Sequence, residues 1–310
     1  MDPDPGTGER AVADPAAEFL SHRDLLFGVA YRMLGSVADA EDVVQDAWLA
    51  WSAADRAAVR APRAYLVRTV TNLSLNRLTS ARATRETYIG PWLPEPLLTA
   101  PETAETEEAA ETADTVSTAM LVVLETLAPV ERAVFMLHEV FGYSHAEIAV
   151  VLDRTEPAVR QIAYRARAHM RARRPRFDTD PARRHEVTSL FLDACAGGDL
   201  NAVMELLAPD VTAWSDGGGK VTAARRPLLG ASATARWLLG VLGKLHRDGY
   251  EVHPEPAHIN GELNILWTSA GHPVGVLSYD LADGVISGLR LQVNPDKLSG
   301  LRAAPVTPEP

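Results

Sequence analysis

One predicted helix, residues 156–171, carries the cationic and amide side chains that are best suited to chemistry with a ligand. Residues 144–171 (SHAEIAVVLDRTEPAVRQIAYRARAHMR) have the apolar spacing of two helices joined by a tight turn. In the major groove, arginine can form two hydrogen bonds with guanine and glutamine two with adenine, while further arginines hold phosphates. The spacing therefore predicts a DNA-reading surface made of Arg160, Gln161, Tyr164, Arg165 and Arg167.

Charge is segregated along the 310 residues of the chain. The formal net charge is −11, yet residues 153–176 hold eight arginines against two acidic residues. Residues 86–131, in contrast, hold ten acidic residues and no lysine or arginine. The alternative to DNA recognition is an ordinary helical hairpin with a solvated basic face, but motif and charge agree and favour DNA. The overall acidity argues against sequence-independent adhesion of the whole chain to nucleic acid and indicates a modular protein.

Three helices predicted between residues 14 and 88 offer two further polar surfaces. The first is expected to end at Gly35, and Ser36 is a candidate cap for the second. One face of the second helix is acidic and holds Asp39, Asp42 and Asp46. The third helix, which Pro62 opens, has a polar stripe made of Arg68, Asn72 and Asn76.

The rest of the chain is predicted to be a linker and a separate domain. Residues 89–118 are rich in proline, threonine and glutamate, which is typical of a linker, but the apolar piece WLPEPL at 92–97 is expected to dock onto another part of the chain. Two short helices between 185 and 207 precede several strand-like segments. Asp283-Gly284 predicts a hairpin between the last two strands. Helices followed by a mostly antiparallel sheet predict an α+β domain.

Composition excludes several classes of protein. The single cysteine, Cys195, excludes an intrachain disulfide and favours a reducing compartment. The sequence shows no secretion signal and no apolar run long enough for a bilayer, so we expect a cytoplasmic protein with no membrane partner.

In the C-terminal part, Asp216 is a candidate acid–base group, but it lies in a glycine-rich turn. Its candidate partners are His246, His253, His258 and His272. The glycine-rich turn favours a docking loop over a catalytic site, and we expect no metal and no cofactor.

Five motifs, taken in their order along the chain, carry a resemblance to a known family. They are DAEDVVQDAW at 39–48, WLPEPL at 92–97, the helix–turn–helix at 144–171, DGGGK at 216–220 and NPDKL at 294–298. With them, residues 16–298 resemble an extracytoplasmic-function sigma factor of bacterial RNA polymerase, of the SigJ-like kind with a C-terminal SnoaL-like domain. The resemblance implies a multidomain fold with two all-α sigma domains, the second with the helix–turn–helix, and a C-terminal α+β SnoaL-like cone.

The resemblance also implies where the domains begin and end. The first sigma domain is expected at 14–88, after a disordered tail at 1–13. The acidic, proline-rich linker at 89–118 leads to the second sigma domain at 119–176. The SnoaL-like domain follows at 185–298, before a tail at 299–310.

The same resemblance implies partners and roles. Core RNA polymerase is expected to bind the acidic helix, although the residues alone also allow a merely solvated face. The implied polymerase contacts are Asp39, Glu41, Asp42, Gln45 and Asp46. The implied contacts with the promoter −10 element are Arg63, Arg68, Asn72, Asn76 and Arg77. Asn76 departs from the family, which commonly has aspartate there. The outward residues of the 156–171 helix match the reader of the −35 element.

For the C-terminal domain the resemblance implies a fused regulator that packs against the sigma domains. The predicted regulatory contact joins Trp92, Leu93 and Pro94 to Asp216, Gly217, Gly218, Gly219 and Lys220. A small apolar ligand inside the cone is a further expected partner. For the whole chain the resemblance implies no catalytic residue, and therefore not an enzyme, because the polymerase performs the nucleotidyl transfer. Two alternatives remain: a stand-alone helix–turn–helix regulator with a ligand-sensing domain, and a small-molecule enzyme with a fused DNA-binding region. Residues 16–88 favour the sigma factor, because a stand-alone regulator needs neither an acidic docking helix nor a strand-reading helix.

Overall fold

The structure, a computed structural model, describes residues 14–55, 58–99, 117–173 and 180–301. The predicted tail at 1–13, most of the acidic linker and the tail after residue 301 lie outside these ranges. Within the described ranges no helix is both long enough and apolar enough to cross a bilayer.

The first helical unit contains four helices. They are α1 (Pro15–Leu20), α2 (Arg23–Leu34), α3 (Val37–Ala53) and α4 (Pro62–Glu86). As predicted, α2 ends at Gly35, which adopts a left-handed conformation with φ +66°. A Cβ atom there would lie 2.7 Å from the Trp92 ring, so glycine also allows Trp92 to pack on this turn. The Ser36 hydroxyl accepts the backbone N–H of Asp39 and caps α3, again as predicted.

The second helical unit holds the helix–turn–helix. Its elements are α5 (Thr118–Leu124), α6 (Pro129–Phe135), a π-helical turn (Met136–Val140), α7 (His145–Leu152) and α8 (Glu156–Arg173). Ser144 and Glu147 form a reciprocal capping box at the start of α7. Asp153, with φ +51°, makes the turn between α7 and α8 in a left-handed conformation.

The two helical units share one hydrophobic core. Buried side chains from α2, α3 and α4 pack with those of α6, α7 and α8 in a single cluster. Arg132 of α6 is buried in this contact, where its Nη1 donates to the backbone oxygen of Met33 (2.6 Å) and to the carboxylate of Glu125 (2.6 Å). Across the same contact the Arg32 guanidinium lies 4.9 Å from the centre of the Phe141 ring. The arrangement of the two units is therefore compact.

The C-terminal domain, residues 180–301, is an α+β unit. Its helices are α9 (Pro181–Gly197), α10 (Leu200–Glu205), α11 (Ala231–Arg247) and α12 (Pro295–Leu298). Its strands are β1 (Leu207–Asp216), β2 (Leu228–Leu229), β3 (His253–Ile259), β4 (Glu262–Ser269), β5 (His272–Ala282) and β6 (Val285–Gln292). The sheet order is β2-β1-β6-β5-β4-β3, and all neighbours are antiparallel except β1 and β6. Asp283-Gly284 forms the predicted hairpin turn, with both φ angles positive. The predicted fold class is confirmed.

One face of the sheet packs on α9, α10 and α11, and the other faces the linker. Side chains such as Tyr279 and Leu289 fill the first face. On the second face, Asp280 and Arg290 form a buried ion pair whose donor–acceptor distances are 2.8 and 2.7 Å. Leu301 and α12 cover part of this second face, and α5 contacts β5. The sheet thus presents its second face to the two helical units.

Candidate functional site

The predicted −35 reader lies on the exposed side of α8. Arg160, Gln161, Tyr164 and Arg165 are exposed, with 74% of Tyr164 accessible, and Arg167 is half-buried. The opposite face of α8 is buried in the shared core. A single helix face therefore presents three arginines, an amide and an aromatic ring to solvent, as a major-groove reader requires.

The arginines of this face are paired with acidic side chains of the same unit. Arg160 bonds Glu156 one turn away, and Arg167 bonds Glu139 of the π-helical turn. The carboxylate of Glu131 lies 3.4 Å from Arg165. Because these pairs are partly exposed, each contributes little to stability and can be exchanged for a phosphate. The charge of the predicted −35 reader is therefore partly neutralised by acidic side chains of its own unit.

The predicted −10 stripe is exposed on α4 and borders the second helical unit. Arg63, Arg68, Asn72 and Asn76 are all exposed. Arg63 lies 5.9 Å from the centre of the Tyr143 ring, just before α7. Arg63, the first of the predicted −10 contacts along the chain, thus lies against the helix–turn–helix unit.

Arg77 joins two sites that the sequence had predicted separately. Its guanidinium donates to the carboxylates of Asp39 (2.8 Å) and Asp42 (2.6 Å) of α3. Burial alone would lower the pKa of Arg77, but the hydrogen bonds and charges of the two aspartates outweigh burial and raise it. The structure therefore brings one predicted −10 residue together with two predicted polymerase contacts.

The acidic face of α3 borders an apolar cleft. Gln45 and Asp46 are exposed, and Glu41 forms an ion pair with Arg23 at 2.7 Å. A cleft of about 400 Å³ runs between α1 and α3, and its apolar walls include Leu20 and Trp48. An apolar strip with a charged rim is the usual composition of a protein-binding surface.

A buried polar cluster around Asp216 connects the linker to the C-terminal domain. Asp216 is fully buried, and its carboxylate accepts from the Tyr88 hydroxyl (2.6 Å), the Leu93 N–H (2.9 Å) and the Gly218 N–H (3.0 Å). It also accepts from the Lys297 ammonium (2.7 Å). Burial, followed by the hydrogen bond and charge of Asp216, raises the pKa of Tyr88 well above its ordinary range. Five donors, with the Gln292 amide at 3.3 Å, thus compensate one buried carboxylate.

Lys297 and the glycine loop complete this contact. The Lys297 ammonium lies 4.1 Å from the centre of the Trp92 ring and donates to the Leu93 backbone oxygen (2.6 Å). Gly218 has φ +59°, and a Cβ atom there would lie 2.3 Å from the Asn294 amide, so the loop needs glycine to approach the NPDKL segment. Lys220 bonds both carboxylate oxygens of Asp296. The structure therefore brings the linker, DGGGK and NPDKL motifs together.

Asn260 makes a second contact between linker and C-terminal domain, which the sequence did not reveal. Its side-chain oxygen accepts the Leu97 N–H (2.9 Å), and its backbone N–H donates to the Leu97 oxygen (2.8 Å). Its amide nitrogen donates to the Tyr31 hydroxyl of α2 (2.7 Å), which donates to the Glu95 backbone oxygen (2.6 Å). Asn260-Gly261 at a hairpin between two strands was the only available signal, and it predicts a turn rather than a contact.

The C-terminal acid–base candidates do not form a catalytic arrangement around Asp216. The five donors to Asp216 described above include none of these histidines, and His246, His253 and His272 are exposed. Burial raises the pKa of the Cys195 thiol to about 12, which makes this thiol unreactive. A cleft of about 320 Å³ lies between Ile89-Gly90 and the glycine loop at 217–225.

Comparisons with known sequences and structures identify the family to which the chain belongs. The sequence matches the family models for Sigma-70 region 2, over residues 19–84, and for Sigma-70, region 4, over residues 117–170. It is 40% identical to the ECF RNA polymerase sigma factor SigJ of Mycobacterium tuberculosis over 92% of this chain and 93% of that protein. It is 29% identical to the sigma factor SigI of the same species over 94% of this chain and 97% of that protein. The crystal structure of M. tuberculosis SigJ matches with a TM-score of 0.72 at 37% identity, covering 92% of this chain and 98% of that one. The chain belongs to the extracytoplasmic-function (ECF) family of RNA polymerase sigma factors.

Proposed function

We propose that this chain binds core RNA polymerase and directs transcription initiation at promoters selected by two DNA elements. The acidic face of α3 and the adjoining apolar cleft bind the polymerase. The stripe on α4 binds the opened −10 strand, and the exposed face of α8 binds the −35 duplex. The observation that carries the proposal is the presence, in one chain of the sigma family, of two separate exposed faces with arginine and amide side chains, one on α4 and one on α8.

The compact arrangement has to open for both faces to act on one promoter. Elements at 10 and 35 base pairs upstream lie roughly 80 Å apart along a duplex that rises 3.4 Å per base pair. Two helical units that share a single core cannot span that distance. We therefore propose that polymerase and promoter bind an open arrangement and shift the population towards it.

The C-terminal domain regulates this opening in our proposal. Its support is the linker contact, in which Asp216 and Asn260 hold residues 88–97 beside the first helical unit. Any ligand or partner that separates the linker from this domain favours the open arrangement. A small apolar ligand between α11 and the sheet acts in the same direction if it binds the open arrangement more tightly.

We propose no enzymatic activity for the chain, which acts in the cytoplasm. The polymerase performs nucleotidyl transfer, and the chain selects the promoter and positions it. Asp216 has a structural role in this proposal, because its carboxylate is already bonded to five donors.

Run-off transcription tests the proposal. The full-length chain is combined with core polymerase and with a panel of promoters in which the −10 and −35 elements are varied separately. Initiation that requires the chain and depends on both elements supports the sigma-factor role. Specific binding to duplex DNA without polymerase, together with no initiation, refutes it and favours a stand-alone regulator.

A further inference from the structure

We propose that Glu95, in the linker, is a positioning residue for the polymerase-binding helix α3. Its carboxylate caps the N-terminus of α3 from outside the first helical unit. The C-terminal domain thereby controls the order of the helix turn that carries Asp39. This inference rests on the proposed role of α3 in binding polymerase.

The cap has a defined geometry. Glu95 is 7% exposed, and its Oε2 accepts the backbone N–H of Val37 (2.8 Å) and the hydroxyl of Ser36 (3.1 Å). Its own N–H donates to the backbone oxygen of Gly35 (2.8 Å). The Ser36 hydroxyl oxygen in turn accepts the N–H of Asp39. Glu95 and Ser36 together satisfy two of the four backbone donors that the first turn of a helix leaves without partners.

Charge explains why a carboxylate is used at this position. Both donors to Oε2 are neutral groups at a helix N-terminus, where the aligned peptide dipoles favour negative charge. α3 has 17 residues, so its dipole is fully developed at this end. A glutamine would keep the shape of the side chain and lose the charge.

The C-terminal domain determines where Glu95 lies. Two residues before it, the Leu93 N–H is held by Asp216, and two residues after it, Leu97 is held by Asn260. The backbone oxygen of Glu95 accepts the Tyr31 hydroxyl, which Asn260 also contacts. Because the linker is fixed on both sides of Glu95, release of these contacts leaves Glu95 held only by its own bonds to the first helical unit and weakens the cap.

The turn capped by Glu95 leads to the acidic face. Asp39 belongs to this turn, and with Asp42 it holds Arg77 of α4. Fraying of the first turn therefore displaces a predicted polymerase contact and the neighbouring −10 stripe together. Through the Glu95 cap, the C-terminal domain can thus alter the acidic face of α3 and the adjoining stripe on α4.

The test compares full-length Glu95→Gln with the wild type. Hydrogen exchange measures how fast the Val37 amide exchanges with solvent, and fluorescence anisotropy measures the affinity of the chain for core polymerase. Because the amide oxygen of glutamine can still accept the Val37 N–H but carries no charge, the cap is weakened, and we expect exchange at Val37 to accelerate about tenfold and the affinity to fall about three- to tenfold. Glu255→Gln, which removes a charge from an exposed position on β3, is the matched control and should change neither.

A second substitution distinguishes the loss of the α3 cap from general damage to the fold. Val37→Pro removes the N–H that needs Glu95, and proline is favoured at the first position of a helix. Ser36 already has the extended backbone that a following proline requires. In the Glu95→Gln background, Val37→Pro should restore the affinity for polymerase to within about twofold of the wild type.

Three results overturn the inference. They are unchanged Val37 exchange in Glu95→Gln, unchanged affinity, and reduced affinity that Val37→Pro does not restore. If the wild-type chain itself fails to bind core polymerase, the proposed function fails. The exchange measurement still tests the cap in that case, because it needs no polymerase.

Discussion

Replacement of Asp216 by asparagine should open the contact between the linker and the C-terminal domain. Asparagine has nearly the same volume, so the change creates no cavity, but it removes the charge that five donors surround. The buried ion pair between Asp216 and Lys297, whose side chain is only 12% exposed, is then broken. Removal of one partner from a buried ion pair costs about 3–5 kcal/mol. The remaining amide oxygen can still accept one bond, so we take the lower end, about 3 kcal/mol, or about a hundredfold in the opening equilibrium.

Hydrogen exchange at the Leu93 amide measures this opening directly, since its N–H donates to Asp216. We expect exchange at Leu93 to accelerate about a hundredfold in Asp216→Asn. The matched control is Asp296→Asn, which breaks the exposed ion pair with Lys220 nearby. An exposed pair contributes less than about 1 kcal/mol, so the control should change the exchange less than about fivefold. Equal effects of the two substitutions would refute the reasoning.

Three further predictions follow from other contacts. Arg160→Ala should weaken binding to a −35 duplex about ten- to hundredfold, and a titration against a scrambled duplex should show a smaller loss. Arg132→Ala should remove the buried bonds of Arg132 to Glu125 and to the Met33 oxygen and loosen the contact between the helical units, seen as a larger radius of gyration in small-angle scattering. Burial raises the pKa of Glu262 despite the opposing charge of Arg184, so ionisation of this carboxyl is less favourable in the folded chain than in the unfolded chain. Glu262→Gln should therefore raise the melting temperature at pH 7, and the gain should shrink as the pH falls through the raised pKa and vanish below the ordinary value of about 4.5.

The local elements could be predicted because their signals lie within a few residues. Ser144, Gly35 and Asp283-Gly284 determine a cap, a helix end and a hairpin through their own backbone and side chains. The predicted start of α9 was wrong because its cap was overlooked. The helix begins at Pro181 rather than at residue 185, since the Asp180 side chain accepts the Ala182 N–H and caps the helix there.

The long-range contacts could not be predicted, because several partners fit each residue type. The resemblance implies a DNA contact for Arg77, but nothing in its neighbourhood in the sequence shows that it pairs with α3, 35 and 38 residues earlier. Glu95 is one of ten acidic residues in an acidic stretch, and only folding distinguishes it from the others. The shared core of the two helical units was missed for the same reason: apolar spacing shows that a helix face is buried, but not which element buries it.

The position of Lys297 in the chain has a consequence for synthesis. Ribosomes add about 5–20 residues per second, from the N-terminus onward. The 204 residues between Leu93 and its partner Lys297 therefore take roughly 10–40 s to make. During that interval the first helical unit has left the ribosome while the residues that hold its linker do not yet exist. In each newly made molecule the linker is thus at first not bound to the C-terminal domain, and this contact forms only as translation nears its end.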